Sequence, residues 1–378
     1  MRSTRSLLLL LLSLSSLATP ATCLWKLFDF VRTKENGWGS KGRTAFRKIN
    51  GVTGNGPVQI TVGSRFGFSL ANIGDLDGDG VQDLLVGAPG ESNSYYNATS
   101  NSMGTPELKS GAVYVLFMTL NGTVRDSLRI GGSFNGGPRV YEEDAFGYSV
   151  SALGDVDGDG VQDVAVGAPG VYVSSVYVLF MRQNGTARAF KLIRGAYRGT
   201  APPPVLDASF PSNFYVPNGP ELFYGARFGT ALAPLGDWDG DGVPDLCAST
   251  YGISSGENVV YMLFLSRDGA VRSFVPISQG VNGGPVYGQG VQSFSGFGSS
   301  MLVMPDSNGD GVPEMVFGAK DLQDEGTSHL HSGVLWYCFM KVRLPFRESL
   351  SLSLSSLSLL SLSPFLLLPS PSLSGEDE

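Results

Sequence analysis

Hydrophobic residues in this chain come in short runs of about four to eight, each stopped by glycine, proline, aspartate or asparagine. LLVGAP ends at Pro89 and VAVGAP ends at Pro169; longer runs sit in GAVYVLFM, SSVYVLFM and ENVVYMLFL. Runs this short, rich in β-branched and aromatic residues, predict strands rather than helices. Asn-Gly or Asp-Gly then joins apolar runs in VYVLFMTLNGTVRDSLRI, VYVLFMRQNGTARAFKLI and YMLFLSRDGAVRSFVPI. Those dipeptides predict tight two-residue hairpin turns. The reading is all-β, with antiparallel strands.

The pattern repeats. FGFSLANIGDLDGDGVQDLLVGAPG, starting at Phe66, returns from Phe146, Phe228 and Phe297, at separations of 80, 82 and 69 residues. In each copy an aspartate lies nine residues after the Phe (Asp75, Asp155, Asp237, Asp306), and the GAP position follows twelve residues later (Gly87, Gly167, Ser249, Gly318). Fixed spacing inside a unit, with variable spacing between units, belongs to a repeat architecture whose insertions fall on one side.

Inside the unit, Asp75, Asp77, Asp79 and Asp83 take positions 1, 3, 5 and 9 of a loop, with the Val81 carbonyl at 7. Such a set can converge on one hard cation, and the flexible, oxygen-rich geometry suits Ca²⁺. The corresponding sets are Asp155, Asp157, Asp159, Val161, Asp163; Asp237, Asp239, Asp241, Val243, Asp245; and Asp306, Asn308, Asp310, Val312, Glu314. The last has one carboxylate fewer and is expected to be the weakest of about four sites. An EF-hand is excluded, because position twelve holds Val86, Val166, Ala248 or Phe317 and the flanks read as strands. The loops hold fifteen of the chain's 34 acidic residues, so the net charge of −8 is largely theirs. That acidity argues against a nucleic-acid partner.

FG, then DxDGDGxxD, then GAP resembles the FG-GAP repeat of integrin α-subunit β-propellers. The likeness spans Phe66 to Asp321 and fades toward Phe339, with the third GAP replaced by Ser249-Thr250-Tyr251 and the fourth Pro by Lys320. The resemblance implies blades of four antiparallel strands, with calcium in the A–B hairpin loop. Integrin-type propellers have seven blades, whereas this chain has room for about four or five. A closed ring is therefore not assured, and a propeller completed only by association is one reading. Residues Trp25 to Val31 and Thr44 to Ile49 read as two strands of an outer pair, expected to be donated to the last repeat.

Around residues 24–346, the propeller region, lie two segments of different character. Residues 1–23 read as a secretory signal peptide: Arg2 and Arg5, an apolar Leu7 to Leu17, then a small-residue cleavage site. The mature protein is thus expected outside the cell or on its surface. Residues 347–378 are Ser/Leu-rich; Leu350 to Leu368 is uncharged, but Pro364, seven serines and the charge of the flanks favour a low-complexity tail over a membrane anchor. Asn97, Asn121 and Asn184 begin N-x-Thr glycosylation acceptors, the latter two at predicted turns. Cys247 and Cys338 fall on apolar strands and read as buried free thiols.

If the calcium loops and C–D turns share one end of the propeller, the long connections lie at the other. They carry Tyr95, Tyr96, Tyr141, Tyr197, Phe210, Phe214, Tyr215, Phe223, Tyr224 and Tyr287. Aromatics on variable loops above a rigid scaffold suit recognition of an extracellular protein or glycan ligand. The competing class is a secreted carbohydrate- or lipid-active hydrolase or lyase. The chain has no HExxH, and its two histidines, His329 and His331, fall in the eroded last unit. The acids left over (Glu107, Glu142, Glu143, Asp144, Asp207, Glu221) read as solvated loop charge rather than a glycosidase pair. A non-catalytic binding module is expected.

Overall fold

The computed structural model describes residues 47–51, 56–57, 60–92, 110–141, 143–170, 174–197, 219–222, 225–252, 258–286, 296–320 and 333–340. They fold as antiparallel sheets arranged as a four-bladed β-propeller, with no helix among the described residues. The first sheet holds β1 (Ser69–Asn72), β2 (Leu84–Ala88), β3 (Ala112–Met118) and β4 (Val124–Ile130). The second holds β5 (Ser149–Gly154), β6 (Asp163–Ala168), β7 (Ser175–Met181) and β8 (Ala187–Arg194). A short parallel pair, β9 (Ala196–Tyr197) with β10 (Glu221–Leu222), precedes the third sheet. That sheet holds β11 (Leu232–Gly236), β12 (Asp245–Ser249), β13 (Val260–Leu265) and β14 (Val271–Ile277). The fourth has three strands, β15 (Phe297–Met304), β16 (Glu314–Ala319) and β17 (Val334–Cys338).

Within each sheet the strands pair in chain order, so every blade is a meander. The innermost strands touch in sequence: β1 with β5, β5 with β11, β11 with β15. No contact of similar extent joins β15 to β1 among the described residues. The outward face of the last sheet is bare, with Leu302 55% and Leu335 74% exposed. The described part of the N-terminal stretch contains no strand. Its Ile49 and Ile60 instead lie against the cluster of Val86, Tyr114 and Leu116 on the first sheet. The expected donation to the last repeat is not formed among the described residues, where β17 pairs only with β16. Residues 1–46 and 341–378, with the signal-peptide, tail and Trp25 to Val31 readings, lie outside the described residues.

Each inner sheet is covered on both faces, which explains why β3 and β7 show no apolar–polar alternation: all seven residues of each are buried. Leu85, Val113 and Val115 pack against Val164, Val166 and Leu179 of the next sheet. Ala165, Val176 and Val178 pack in turn against Leu246, Ala248 and Leu263. Cys247, Val260 and Met262 meet Met315 and Phe317. Cys247 is buried, Cys338 half-buried, and both are free thiols. Phe146, Phe228 and Phe297, which open the last three repeats, point into these layers, and the first two meet Tyr177 and Tyr261 edge-on at 5.3 and 6.1 Å. Edge-on packing of this kind sets the electropositive rim of one ring against the face of the other.

The FG and GAP glycines hold the blades together. Within a blade, the amides of Gly67 and Phe68 donate to the Gly87 carbonyl at 3.1 and 3.2 Å; Gly147 and Tyr148 do the same to Gly167. Between blades, a Cβ at Gly87 would lie 2.0 Å from the Gly147 carbonyl oxygen, and one at Gly167 2.1 Å from that of Gly229. The same carbonyls accept hydrogen bonds from Ser69 (2.9 Å) and Ser149 (2.7 Å). Glycine is thus required at GAP by a neighbouring backbone rather than by its own dihedral angles. In the third blade Ser249 replaces it, is fully buried, and accepts from the Ala231 amide through Oγ at 3.0 Å.

The hairpin turns differ from the sequence expectation. Asn121-Gly122 closes a three-residue loop between Thr119 and Thr123, with Gly122 left-handed and a bulge between Phe117 and Met118. A two-residue turn of the predicted kind needs both central residues at positive φ, and Asn121 is not there. Its Oδ1 instead accepts from the Thr123 amide (3.3 Å) and hydroxyl (2.8 Å), and Asn184 does the same with Thr186. Asp268, which cannot be glycosylated, makes the matching bonds to Ser266 and Ala270. Turn geometry alone therefore accounts for Asn121 and Asn184, while Asn97 lies outside the described residues.

The blade contacts make a comparison testable. Gly167→Ala drives a methyl into a backbone oxygen and is expected to cost about 3 kcal/mol. Gly280→Ala meets no atom within 4 Å and bears only the strain of its positive φ, about 1 kcal/mol. Thermal melting of the two variants checks the order, and equal losses would remove the glycine contact from its central place.

Candidate metal centre

The loops between the first two strands of each blade place their acidic residues in one repeated geometry. The first aspartate folds its carboxylate over the loop: Asp75 accepts from the amides of Asp79 (2.9 Å) and Gly80 (2.8 Å), Asp155 from Gly158 (2.7 Å) and Gly160 (2.7 Å). Asp237 accepts from Gly242 and Asp306 from Gly311. The left-handed glycines Gly78 and Gly80, at φ 79° and 88°, let the chain wrap tightly enough for those bonds. The Asp306 carboxyl is held below its usual range, first by the Gly311 amide.

The ninth position has a structural task as well. Asp83 is fully buried; one oxygen accepts from the Leu76 amide of its own loop (3.1 Å), the other from Met118 at the end of β3 (3.0 Å). Asp163 bridges Val156 and Met181, and Asp245 bridges Trp238 and Leu265, with the same pattern. The carboxylate thus pins the loop to the next strand. In the fourth blade Glu314 keeps the loop bond, from Ser307 at 2.8 Å, but its Oε1 is buried without a partner.

Three of the four predicted sets gather carboxylate oxygens within 4.8 Å of one another: Asp75 with Asp77 and Asp83, Asp155 with Asp157 and Asp163, Asp237 with Asp239 and Asp245. Asp79, Asp159 and Asp241, at position five, stand outside these clusters and accept from the amides of Val81, Val161 and Val243. Asp306, Asn308, Asp310 and Glu314 form no such cluster among the described residues. Asp77 Oδ1 and Asp239 Oδ1 are buried and unpartnered. A buried carboxylate oxygen without a hydrogen-bond donor is costly, and a cation is the group that would satisfy it. Donors that are all oxygen fit a hard ion such as calcium.

Three arginines complete the loops. Arg125 pairs with Asp77 and Asp79, Arg188 with Asp157 and Asp159, and Arg272 with Asp239 at 2.7 Å and Asp241 at 2.6 Å. They escape a reading that looks only within the loops. The signal was nevertheless there, since each follows a hairpin turn at one offset in NGTVR, NGTAR and DGAVR. Among the described residues the fourth blade has neither a strand at that place nor such an arginine.

Burial pushes the ninth-position acids up, to about 6 for Asp163 and about 7 for Asp245; accepted amide bonds oppose this, and the neighbouring Asp157 and Asp159, or Asp239 and Asp241, add to it. Asp83 is shifted the same way for the same reason. Among the leftover acids, Asp144 is not solvated loop charge as expected. Burial raises it to about 6, and it accepts from the Tyr141 amide at 2.7 Å beside Arg194. Glu143 is exposed. Glu107, Glu142, Asp207, the Glu221 side chain, both histidines and most of the top-loop aromatics lie outside the described residues; Tyr141 is half-buried.

A family model described as the FG-GAP repeat matches residues 66–116 and 146–179. Integrin alpha-3 of Cricetulus griseus is 39% identical over 131 residues, which is 34% of this chain and 10% of that protein. Integrin alpha-IIb of Homo sapiens is 30% identical over 256 residues, 67% of this chain and 20% of that protein. Integrin alpha-5 of Xenopus laevis is 29% identical over 263 residues, 68% and 20% respectively. The chain therefore spans at most a fifth of the length of these relatives.

The raised carboxyls fix a pH dependence. Asp163 and Asp245 favour folding when protonated, so their contribution is complete below the ordinary 3.8 and is lost as pH rises through about 6 to 7. In chelator, the melting temperature is expected to fall between pH 5 and pH 8, and Asp245→Asn should flatten part of that slope. A metal-free melting temperature that rises with pH would contradict this assignment.

Proposed function

From the premise that this chain is an integrin-α-like FG-GAP protein, we propose that it is a non-catalytic, calcium-stapled propeller, secreted or held at the cell surface, that binds an extracellular ligand. The observation that carries the calcium reading is the gathering of three carboxylates within 4.8 Å in each of three successive loops, two of them with an unpartnered buried oxygen. Carboxylates held this closely repel one another; Arg125 and Arg272 pair with Oδ2 of Asp77 and Asp239, and Oδ1 of each is left for a cation. Asp75, Asp77, Asp79 and Asp83, with the Val81 carbonyl, would hold the ion in the first loop; the equivalent residues would do so in the second and third. The fourth set would be the weakest. When bound, calcium supplies charge neutralisation and crosslinks the loop to the strand that Asp83 already grips.

The binding role rests on position. The metal loops and the hairpin turns lie at one end of the blades; the FG and GAP ends of the strands lie at the other. A rigid, metal-filled lower end would then hold the upper surface steady for a protein or glycan ligand. Adhesion is the role that the integrin likeness suggests. No helix among the described residues is long and apolar enough to cross a membrane.

Calcium titration by calorimetry on the full chain, with melting followed in parallel, tests this reading. Three tight sites and a weaker fourth are expected, with a melting temperature that climbs with calcium because the ion binds only the folded state. Asp157→Ala should remove one tight site and leave the others. A melting temperature indifferent to chelator would overturn the proposal.

A further inference from the structure

At the end of the propeller opposite the metal loops, the axis opens into a cavity of about 530 Å³ whose lining comes from three repeated positions. The GAP proline position supplies Pro89, Pro169, Tyr251 and Lys320. The second residue after each opening Phe supplies Phe68, Tyr148, Thr230 and Ser299. The residue before that Phe supplies Arg65, Ala145 and Arg227. All three of these last residues have left-handed backbone, at φ 56°, 56° and 47°, as does Gly296, the fourth member, at 66°. Side chains other than glycine rarely hold that conformation, and where it persists it commonly marks a functional site. Two repeats place arginine there.

The departures from the GAP motif thus converge on one place. Lys320 stands where proline is expected, and its Nζ lies 4.7 Å from the centre of the Tyr251 ring, itself a proline replacement. Arg65, Arg227 and Lys320 make no ion pair among the described residues, and Arg227 Nε is buried without a hydrogen-bond partner. A single carboxylate, that of the exposed Glu143, shares the lining. Three cations around one cavity, in a chain of net charge −8, form a local field opposite to that of the molecule.

We infer that this axial cavity takes the carboxylate of an acidic side chain from a protein partner. The inference rests on the ligand-binding reading above and names its chemistry. A guanidinium presents paired donors that match a carboxylate, and an arginine with an unpartnered buried nitrogen loses nothing by turning to one. A glycan carboxylate fits less well. One face of Tyr251 is covered by Lys320, and Phe68 and Tyr148 pack on each other at 4.7 Å, which leaves little flat aromatic surface for a sugar ring.

The test uses the full chain in saturating calcium and a rhodamine-labelled peptide of alternating glutamate and serine, read by fluorescence anisotropy. A glutamine–serine peptide and a heparin-derived hexasaccharide serve as the other arms. Saturable binding of the glutamate peptide is expected, at least about tenfold tighter than the glutamine peptide. It should be lost by at least about tenfold in Arg65→Ala/Arg227→Ala/Lys320→Gln, with melting temperature and calcium uptake unchanged. Alanine is accommodated at both arginine positions, because Ala145 already holds that backbone conformation. Binding that survives in the triple variant would place anion recognition elsewhere and overturn the inference while leaving the ligand-binding reading intact. Binding of the hexasaccharide alone would overturn it in favour of a glycan. Absence of all binding, in protein that still melts cooperatively and takes up calcium, would refute the cavity assignment without touching the calcium-stapled propeller.

Discussion

The structure depends on one close approach: the α-carbon of the GAP glycine in one blade faces the FG carbonyl of the next. Because a Cβ at Gly87 or Gly167 would come within about 2 Å of that oxygen, the two inner strands can lie side by side only if that position has no side chain. The FG amides hydrogen-bond to the GAP carbonyl in the same blade, so the two halves of the motif set strand pairing and blade spacing together. With spacing fixed, the layers of Leu85, Val115, Val166 and Leu179 interdigitate, and similar layers follow in the next junction. Ser249 shows how the rule yields. In the third blade its hydroxyl bonds to Ala231, and the fourth blade packs against a bulkier neighbour.

The acidic loops answer a second constraint, that of concentrating charge without unfolding the blade. Backbone amides absorb part of it, through the first aspartate and the ninth. An arginine from the fourth strand absorbs another part. What remains unmet are single buried oxygens such as Asp77 Oδ1, aimed inward among their neighbours. Among the described residues the fourth blade shows neither the arginine nor a strand amide on Glu314 Oε1.

Opposed to this acidic end is an axial opening built from the same repeat, with different chemistry. The cavity is lined by the GAP proline position, two residues after the glycine that sets the blade approach, so a repeat that changes its proline changes the lining without disturbing the β-ladder. Tyr251 and Lys320 do so in adjacent blades and lie in contact. Scaffold and cavity lining are separable here because they use alternate residues of one short segment.

The repeat, the strand nature of the apolar runs, the oxygen-donor loops and the division into two ends were all legible in the sequence, because each is a local pattern of spacing. Burial of β3 and β7 on both faces also shows in their unbroken hydrophobic runs. Other features required the tertiary structure, because they join residues far apart in the chain. The double grip of Asp83 on Leu76 and Met118, the reach of Arg125 to Asp77, and the clustering of three carboxylates rather than four are of this kind. So is the half-buried setting of Asp144 near Arg194, which sequence alone reads as solvated charge. The turns were misjudged for a local reason: Asn121 bonds its own side chain to Thr123, and one bulge replaces the tighter loop. The axial cavity could not be read at all from one repeat. It exists only where four blades bring the same position to a common axis, and only there do the departures from the motif become neighbours.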